Sequence, residues 1–370
     1  MHNRYDLWLA GTESLTAQAL DQLLGWHGDA QGIWRAVGDG TAQGPASVLK
    51  ALRAHRSESL LDEMAQAMAD TDTRLIMRDD PAYPPLLRAL EDAPIGLFVR
   101  GAADLTFPRH VAIVGSRRCT RYGMQNAARI AAELVACDVH VVSGMARGID
   151  TAANMGCADA GGVSVAVLGC GADVAYPPEN EENIQRLLAC GGAVVTEYPP
   201  GALPLAHRFP RRNRIISGMC SALVVVEAAE RSGAMITVRC ALDQGREVFA
   251  LPGPVDSPNS KMPLQILREG AAMATCAQDI LENLRWLDAP PAVVDAPCAP
   301  DITPAPQADL PGLSEDQRRV AQCLSLEPLG FEELRGRTGF SVPALNSHLT
   351  MLEIQEIIEQ LPGRMYRRIR

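Results

Sequence analysis

Val111-Ala-Ile-Val-Gly-Ser-Arg-Arg118 runs a short apolar stretch straight into a glycine, a hydroxyl and two guanidinium groups. The same arrangement recurs downstream. Val139–Val142 leads into Ser143-Gly-Met-Ala-Arg-Gly-Ile-Asp150, and Val163–Leu168 into Gly169-Cys-Gly-Ala-Asp173. Ala193–Thr196 leads into Glu197-Tyr-Pro-Pro200, and Leu223–Val226 and Val248–Leu251 complete the series. Between these runs lie helical patterns near 124–136, 148–160, 180–190, 210–220 and 233–244. Val-rich strands that alternate with helices are buried on both faces, so the spacing predicts an α/β fold with a doubly wound, mostly parallel, Rossmann-like sheet.

Outward from that core, Leu20, Leu23 and Leu24, then Leu49, Leu52, Leu60 and Leu61, carry helical periodicity. Residues 1–70 therefore read as a small helical domain, and a SAM- or helix-hairpin-helix-like fold is the expectation for it. Pro81, Pro84, Pro85 and Pro94 mark an extended connector, 71–109, which is assigned to a core spanning 71–287. The Ala/Pro/Asp-rich stretch 288–312 buries too little apolar surface to offset its ordering entropy and reads as a linker. Residues 313–370 show three helices, the last with Leu345, Leu349 and Leu352 at i, i+4, i+7, then a hairpin around Pro362-Gly363. That is a winged-helix-like pattern. Its helix and hairpin could touch nucleic acid through Arg364, Arg367, Arg368 and Arg370, or the unit could bind protein with those arginines merely solvated.

The composition, 47% apolar and 21% charged over 370 residues, is that of a core-forming chain. No uncharged apolar run approaches the roughly 18 residues of a membrane span, and Met1-His-Asn-Arg4 lacks a secretory pattern, so a cytoplasmic chain with no membrane partner is expected. The ten cysteines come no closer than Cys157 and Cys170, which excludes CxxC and zinc-knuckle spacing; no metal or cofactor is implied. The net charge of −10 argues against a polyanionic partner, but position matters more than the total. Lys50 and Lys261 are the only lysines among 34 basic residues, a bias that codon usage explains as well as function does. No acid separates Asp104 from Glu133, a window holding Arg109, Arg117, Arg118, Arg121 and Arg129. None separates Glu197 from Glu227, a window holding Arg208, Arg211, Arg212 and Arg214.

Open α/β sheets bind ligands at the carboxyl ends of their strands, and both basic windows fall there. Glycines let backbone amides approach an anion, while serine and arginine add directed donors. The chemistry is not that of a dinucleotide or P-loop enzyme, because GxGxxG and GxxxxGK[ST] are absent; so are GxSxG and HExxH. Asp150, Glu197 and Glu227 could meet as carboxylates at the sheet edge, but helix capping and arginine pairing account for them more economically.

Taken together, Val111–Arg117, Ser143–Asp150, Phe209-Pro-Arg-Arg-Asn-Arg-Ile-Ile216, Val225-Val-Glu-Ala-Ala-Glu-Arg-Ser-Gly233 and Leu251-Pro-Gly253 resemble the DprA/Smf family of DNA-processing proteins, in the family's order from about Tyr83 to Ala271. The resemblance implies a non-catalytic protein that binds single-stranded DNA on an extended Rossmann domain. It further implies a homodimer formed through that domain, protection of incoming DNA in natural transformation, and loading of the RecA recombinase. By motif, Ser116, Arg117 and Arg118 belong to an anion pocket beside Gly144, Arg147 and Gly148, with Phe209, Arg211, Arg212, Asn213 and Arg214 along the strand path. With 6 Phe, 4 Trp and 6 Tyr in the chain, backbone contacts should dominate and sequence preference be weak. Asn154 stands where the family usually has His, Met262-Pro-Leu264 where a Gly-x-Asn turn is usual, and Met219-Cys220 where Leu-Ser is usual. Two other readings stay open. One is a nucleotide phosphoribohydrolase-type enzyme using the turn from Glu227 to Thr237; the other is a protein-interaction platform.

Overall fold

From the amino end of this computed structural model, which describes residues 4–230, 232–286, 314–324, 329–355, 357–361 and 365–368, five helices come first. They are α1 (Arg4–Ala10), α2 (Ala17–His27), α3 (Ala30–Asp39), α4 (Ala46–Ala54) and α5 (Glu58–Asp70). Side-chain oxygens of Thr16, Asp29 and Ser57 accept amide protons in the first turns of α2, α3 and α5, satisfying donors the helices leave open. The helices close around Trp8, Leu23, Ile33, Leu52 and Leu61, and that core continues onto Leu75, Met77 and Phe98 of the adjoining sheet.

The connector is more structured than its prolines suggest. Thr73–Met77 (β1) and Gly96–Gly101 (β2) form an antiparallel pair, with a single helical turn, α6 (Pro85–Arg88), between them. Then come the expected alternations: β3 (His110–Val114), α7 (Arg121–Val135), β4 (His140–Ser143), α8 (Ile149–Asp159), β5 (Ser164–Val167), α9 (Glu181–Ala189) and β6 (Ala193–Thr196). They continue with α10 (Arg208–Gly218), β7 (Ala222–Val225), α11 (Ala234–Asp243), β8 (Glu247–Ala250), α12 (Lys261–Arg268), the two-residue β9 (Ala272–Met273) and α13 (Ala277–Asn283).

The nine strands order as β1-β2-β6-β5-β4-β3-β7-β8-β9. Pairings from β6 through β9 are parallel, while β2 meets both β1 and β6 antiparallel. Val111, Ala112, Ile113, Val141, Val142, Val165 and Val224 are wholly buried, as strands covered by helices on both faces must be. Successive strands β3, β4, β5 and β6 step away in one direction, and β7 returns to the other side of β3. The crevice between the carboxyl ends of β3 and β7 is therefore the switch point where such sheets bind ligands.

The chain divides into a unit from Met1 to Asp295 and a second from Ala296 to Arg370. The second contains α14 (Glu315–Gln322), β10 (Leu329–Gly330), α15 (Phe331–Thr338), α16 (Val342–Ile354), β11 (Ile358–Leu361) and β12 (Met365–Arg368), with sheet order β10-β12-β11. This is the expected three helices and hairpin, with one short strand added. Leu345, Leu349 and Leu352 of α16 are buried against Val320, Leu334 and Tyr366. Arg367 pairs with Glu359 across the hairpin at 2.6 Å. The linker 288–312 and Arg364 and Arg370 lie outside the described residues.

Candidate functional site

The β3–α7 turn sets one wall of the switch-point crevice. Gly115 is required because a Cβ there would lie 2.6 Å from Ile149 and 2.7 Å from the Glu227 carbonyl. The Ser116 amide donates to that carbonyl at 2.6 Å, and the Ser116 hydroxyl accepts from the Arg118 amide at 3.1 Å. This tight turn throws Arg117 and Arg118 outward, both exposed. Among the described residues neither makes an ion pair, and Arg117 lies 5.8 Å over the Phe209 ring.

Opposite, Ala229, Ser232, Gly233, Ala234, Ile236 and Thr237 follow β7, so the amino end of α11 faces the crevice and its dipole favours an anion there. The cleft measures about 710 Å³, and Tyr176, Phe209, Asn213 and Asn259 complete its rim. Tyr176 and Phe209 form a tilted ring pair with centroids 5.0 Å apart. Asn259 donates to the Arg118 carbonyl at 2.9 Å.

The floor holds two buried groups of opposite charge, Arg212 and Asp150. Arg212 donates to the carbonyls of Gly144, at 2.7 Å, and Val167, and it faces Asp150. Gly144 sits so close that a Cβ would fall 2.4 Å from Arg212 Nη1 and 2.5 Å from Asp150 Oδ2. Gly148, with φ +80°, starts α8, and a Cβ there would meet the Ser116 carbonyl at 2.4 Å.

Helix α10 divides the expected site residues between two faces. Phe209, Arg212 and Asn213 turn toward the cleft. Arg208, Arg211 and Arg214, at i, i+3, i+6, turn away from the cleft and meet the carboxylates of Glu13, Asp92 and Glu197 instead. Arg208 pairs with Glu13, Arg211 Nε is 3.2 Å from Glu197, and Arg214 Nη2 is 2.5 Å from Glu197 while its Nε is 3.7 Å from Asp92. Arg211 and Arg214 instead line a separate cavity of about 330 Å³ with Glu13, Asp92 and Tyr198. Arg147 is likewise paired, with Glu179. The structure thus brings Ser116, Arg117, Arg118, Phe209, Arg212 and Asn213 together, with Gly144 and Gly148 supporting them, and places Arg211 and Arg214 elsewhere.

The three carboxylates do not converge. Glu227 accepts from the Thr120 amide at 2.7 Å and hydroxyl at 2.6 Å at the start of α7, Glu197 holds arginines, and Asp150 faces Arg212. Among the described residues no group of three or more His, Cys, Asp or Glu could hold a metal ion.

The family model described as DNA recombination-mediator protein A matches residues 74–285, more than half of the chain. The chain belongs to that family. The DprA winged helix domain model matches residues 304–364. Protein Smf of Escherichia coli K12 is 40% identical over 295 residues, covering 78% of this chain and 76% of the relative. DNA processing protein DprA of Streptococcus pneumoniae R6 is 42% identical over 208 residues, 56% of this chain and 73% of the relative. The X-ray structure of the Streptococcus pneumoniae DprA aligns with a TM-score of 0.65 at 33% identity, over 76% of this chain and 98% of that one. A structure of Helicobacter pylori DprA, described for its single-stranded DNA binding mode, aligns with a TM-score of 0.52 at 25% identity, over 58% of this chain and 96% of that one.

In this family member the unusual residues are absorbed structurally. Asn154 is fully buried and donates to Ser164 Oγ at 2.7 Å, and Met219, Cys220 and Met262 are core residues. Tyr176 and Asn259 are not anticipated as site residues, and Ser232 and Thr237 enter the sequence reading only through the alternative enzymatic turn. The Tyr176-Pro177 pair after the third strand and the Ser232-Gly233 turn after β7 were the available signals.

Proposed function

We propose that the chain binds single-stranded DNA along the carboxyl edge of its parallel sheet, with a phosphate seated in the β3–β7 cleft. The observation that carries this reading is the pair of exposed arginines, Arg117 and Arg118, which make no ion pair among the described residues, beside the amino end of α11 and the Phe209–Tyr176 rings. Guanidinium forks suit phosphate oxygens, and the rings offer sequence-tolerant stacking faces. A Helicobacter pylori relative described for single-stranded DNA binding shares the fold and supports the assignment. In the same reading the protein protects incoming DNA during transformation, loads RecA on it, forms a dimer through the sheet domain and works in the cytoplasm without catalysing a reaction. No helix among the described residues is long and apolar enough to cross a membrane. The phosphoribohydrolase-type alternative needs a glutamate free to act as acid or base, whereas the Glu227 carboxylate is engaged by Thr120.

The test compares single- and double-stranded oligonucleotides over a salt series. Each phosphate neutralised on a single strand contributes about −0.7 to the slope of log K against log salt. Arg117→Ala should weaken single-strand binding and flatten that slope by about 0.7. An affinity indifferent to salt, or unchanged in Arg117→Ala, overturns the assignment.

A further inference from the structure

Phosphate capture by exposed arginines leaves the charge pair beneath them without a role. Asp150 is 7% exposed and Arg212 4%, yet both border the cleft. Among the described residues no other element brings a carboxylate to cancel Arg212: the groups facing Asp150 are Arg212 from α10, Arg117 from the β3–α7 turn, and the amides of Gly115 and Ala146, with the Cys119 thiol nearby. Gly144 is the spacer that allows the pair to form, since any side chain there would occupy the space of both groups. Arg212 is also held independently of Asp150, by the carbonyls of Gly144 and Val167. A change of charge on the carboxylate therefore leaves the guanidinium in place.

We propose that Asp150 is a positioning residue that sets how much of the Arg212 charge an anion in the cleft can use, releasing that charge when it takes up a proton. The proposal rests on the reading of this cleft as the phosphate site. With Asp150 ionised the pair is nearly neutral, and Arg117 and Arg118 alone attract phosphate. With Asp150 protonated the same cleft presents a third positive charge in the same position. Burial, outweighing the arginines and amides, pushes the Asp150 carboxyl up to about 6, so the exchange falls in an accessible range. Seating a phosphate beside the carboxylate raises its proton affinity further, so DNA binding and proton uptake are linked. A phosphodiester has no titrating group in that range.

The experiment measures affinity of the full-length protein for a short single-stranded oligonucleotide from about pH 5 to about pH 8 at fixed salt. Wild type should bind about tenfold more tightly at the acid end, a coupling of about one pKa unit. Asp150→Asn should bind tightly at every pH with a flat profile. Both are made in a His207→Gln background, which removes the exposed imidazole at the start of α10. A flat wild-type profile, a pH dependence that survives in Asp150→Asn, or an Asp150→Asn protein that folds but binds weakly throughout overturns the proposal. Should Asp150→Asn fail to fold, calorimetry of the wild type in buffers of different ionisation enthalpy reads the linkage directly. Proton uptake on binding near pH 6.5 supports it, and none overturns it. If Arg117→Ala binds like wild type, the phosphate-site reading itself has failed; if Arg117→Ala is weak while the wild-type profile is flat, only the role of Asp150 falls.

Discussion

Arg214→Ala removes a guanidinium whose Nη2 lies 2.5 Å from Glu197 and whose Nη1 donates to the Asp92 carbonyl at 2.5 Å. The two side chains of this ion pair are 11% and 7% exposed, so solvent cannot replace what the substitution takes away. Glu197 would keep only the more distant Arg211 contact at 3.2 Å. Deleting one partner of a buried pair typically costs about 3–5 kcal/mol, because the remaining charge is stranded in a poorly polarisable site. At about 2–4 °C per kcal/mol for a unit of this size class, the melting temperature should fall by roughly 6–20 °C. Glu197→Gln combined with Arg214→Met, which removes both charges, should recover much of the loss. The assay is thermal and urea unfolding of each variant, followed by DNA titration over a salt series at a temperature where all are folded. The salt slope of Arg214→Ala should match wild type, since this arginine faces Glu197 and not the cleft. A variant that melts within a degree or two of wild type yet loses salt-dependent binding would refute the division of α10 into a structural and a binding face.

Three further substitutions probe the same framework. Gly144→Ala should prevent the Arg212–Asp150 arrangement from forming, since a Cβ would lie within about 2.5 Å of both groups, and a soluble variant with unchanged stability would contradict the packing. Burial pushes His110 and His140 down to about 4, so below about pH 6.5 the unfolded chain binds protons that the folded chain refuses. Stability present above that pH should therefore be lost on acidification toward pH 4, by up to about 3 kcal/mol per imidazole, and His110→Gln should flatten the fall in urea midpoint. Tyr83→Phe deletes a buried hydroxyl that donates to the Pro94 carbonyl at 2.7 Å; equilibrium unfolding should show a loss of about 1–2 kcal/mol, with DNA affinity unchanged.

Much of the sheet is legible in the sequence because a doubly covered strand must be apolar on both faces, and the six Val-rich runs match β3 to β8 within a residue or so. The β1–β2 hairpin is not read that way. The prolines between its strands dominate the local pattern, and the pairing of Leu75 with Phe98 is made across the segment that looks like a connector. At the site, the loops that bear Ser116 and Gly144 announce themselves through strand ends and glycines. The fate of the individual arginines does not. The window from Glu197 to Glu227 is free of acids along the chain, but in space Glu13 and Asp92 reach Arg208 and Arg214 from far away in sequence. Helical phase separates Arg212 from its neighbours Arg211 and Arg214, and only the tertiary placement of Glu13, Asp92 and Glu197 shows which side of α10 meets carboxylates.

Hydrogen–deuterium exchange of the full-length protein with and without a single-stranded oligonucleotide tests most directly whether the β3–β7 crevice receives the strand. Protection should appear in 115–120, 144–150 and 232–238, the segments that wall the cleft, with little change at 13–17 and 92–96 around the Glu13–Glu197 cavity. Protection concentrated at 13–17 and 92–96, with the cleft segments unchanged, would contradict the account.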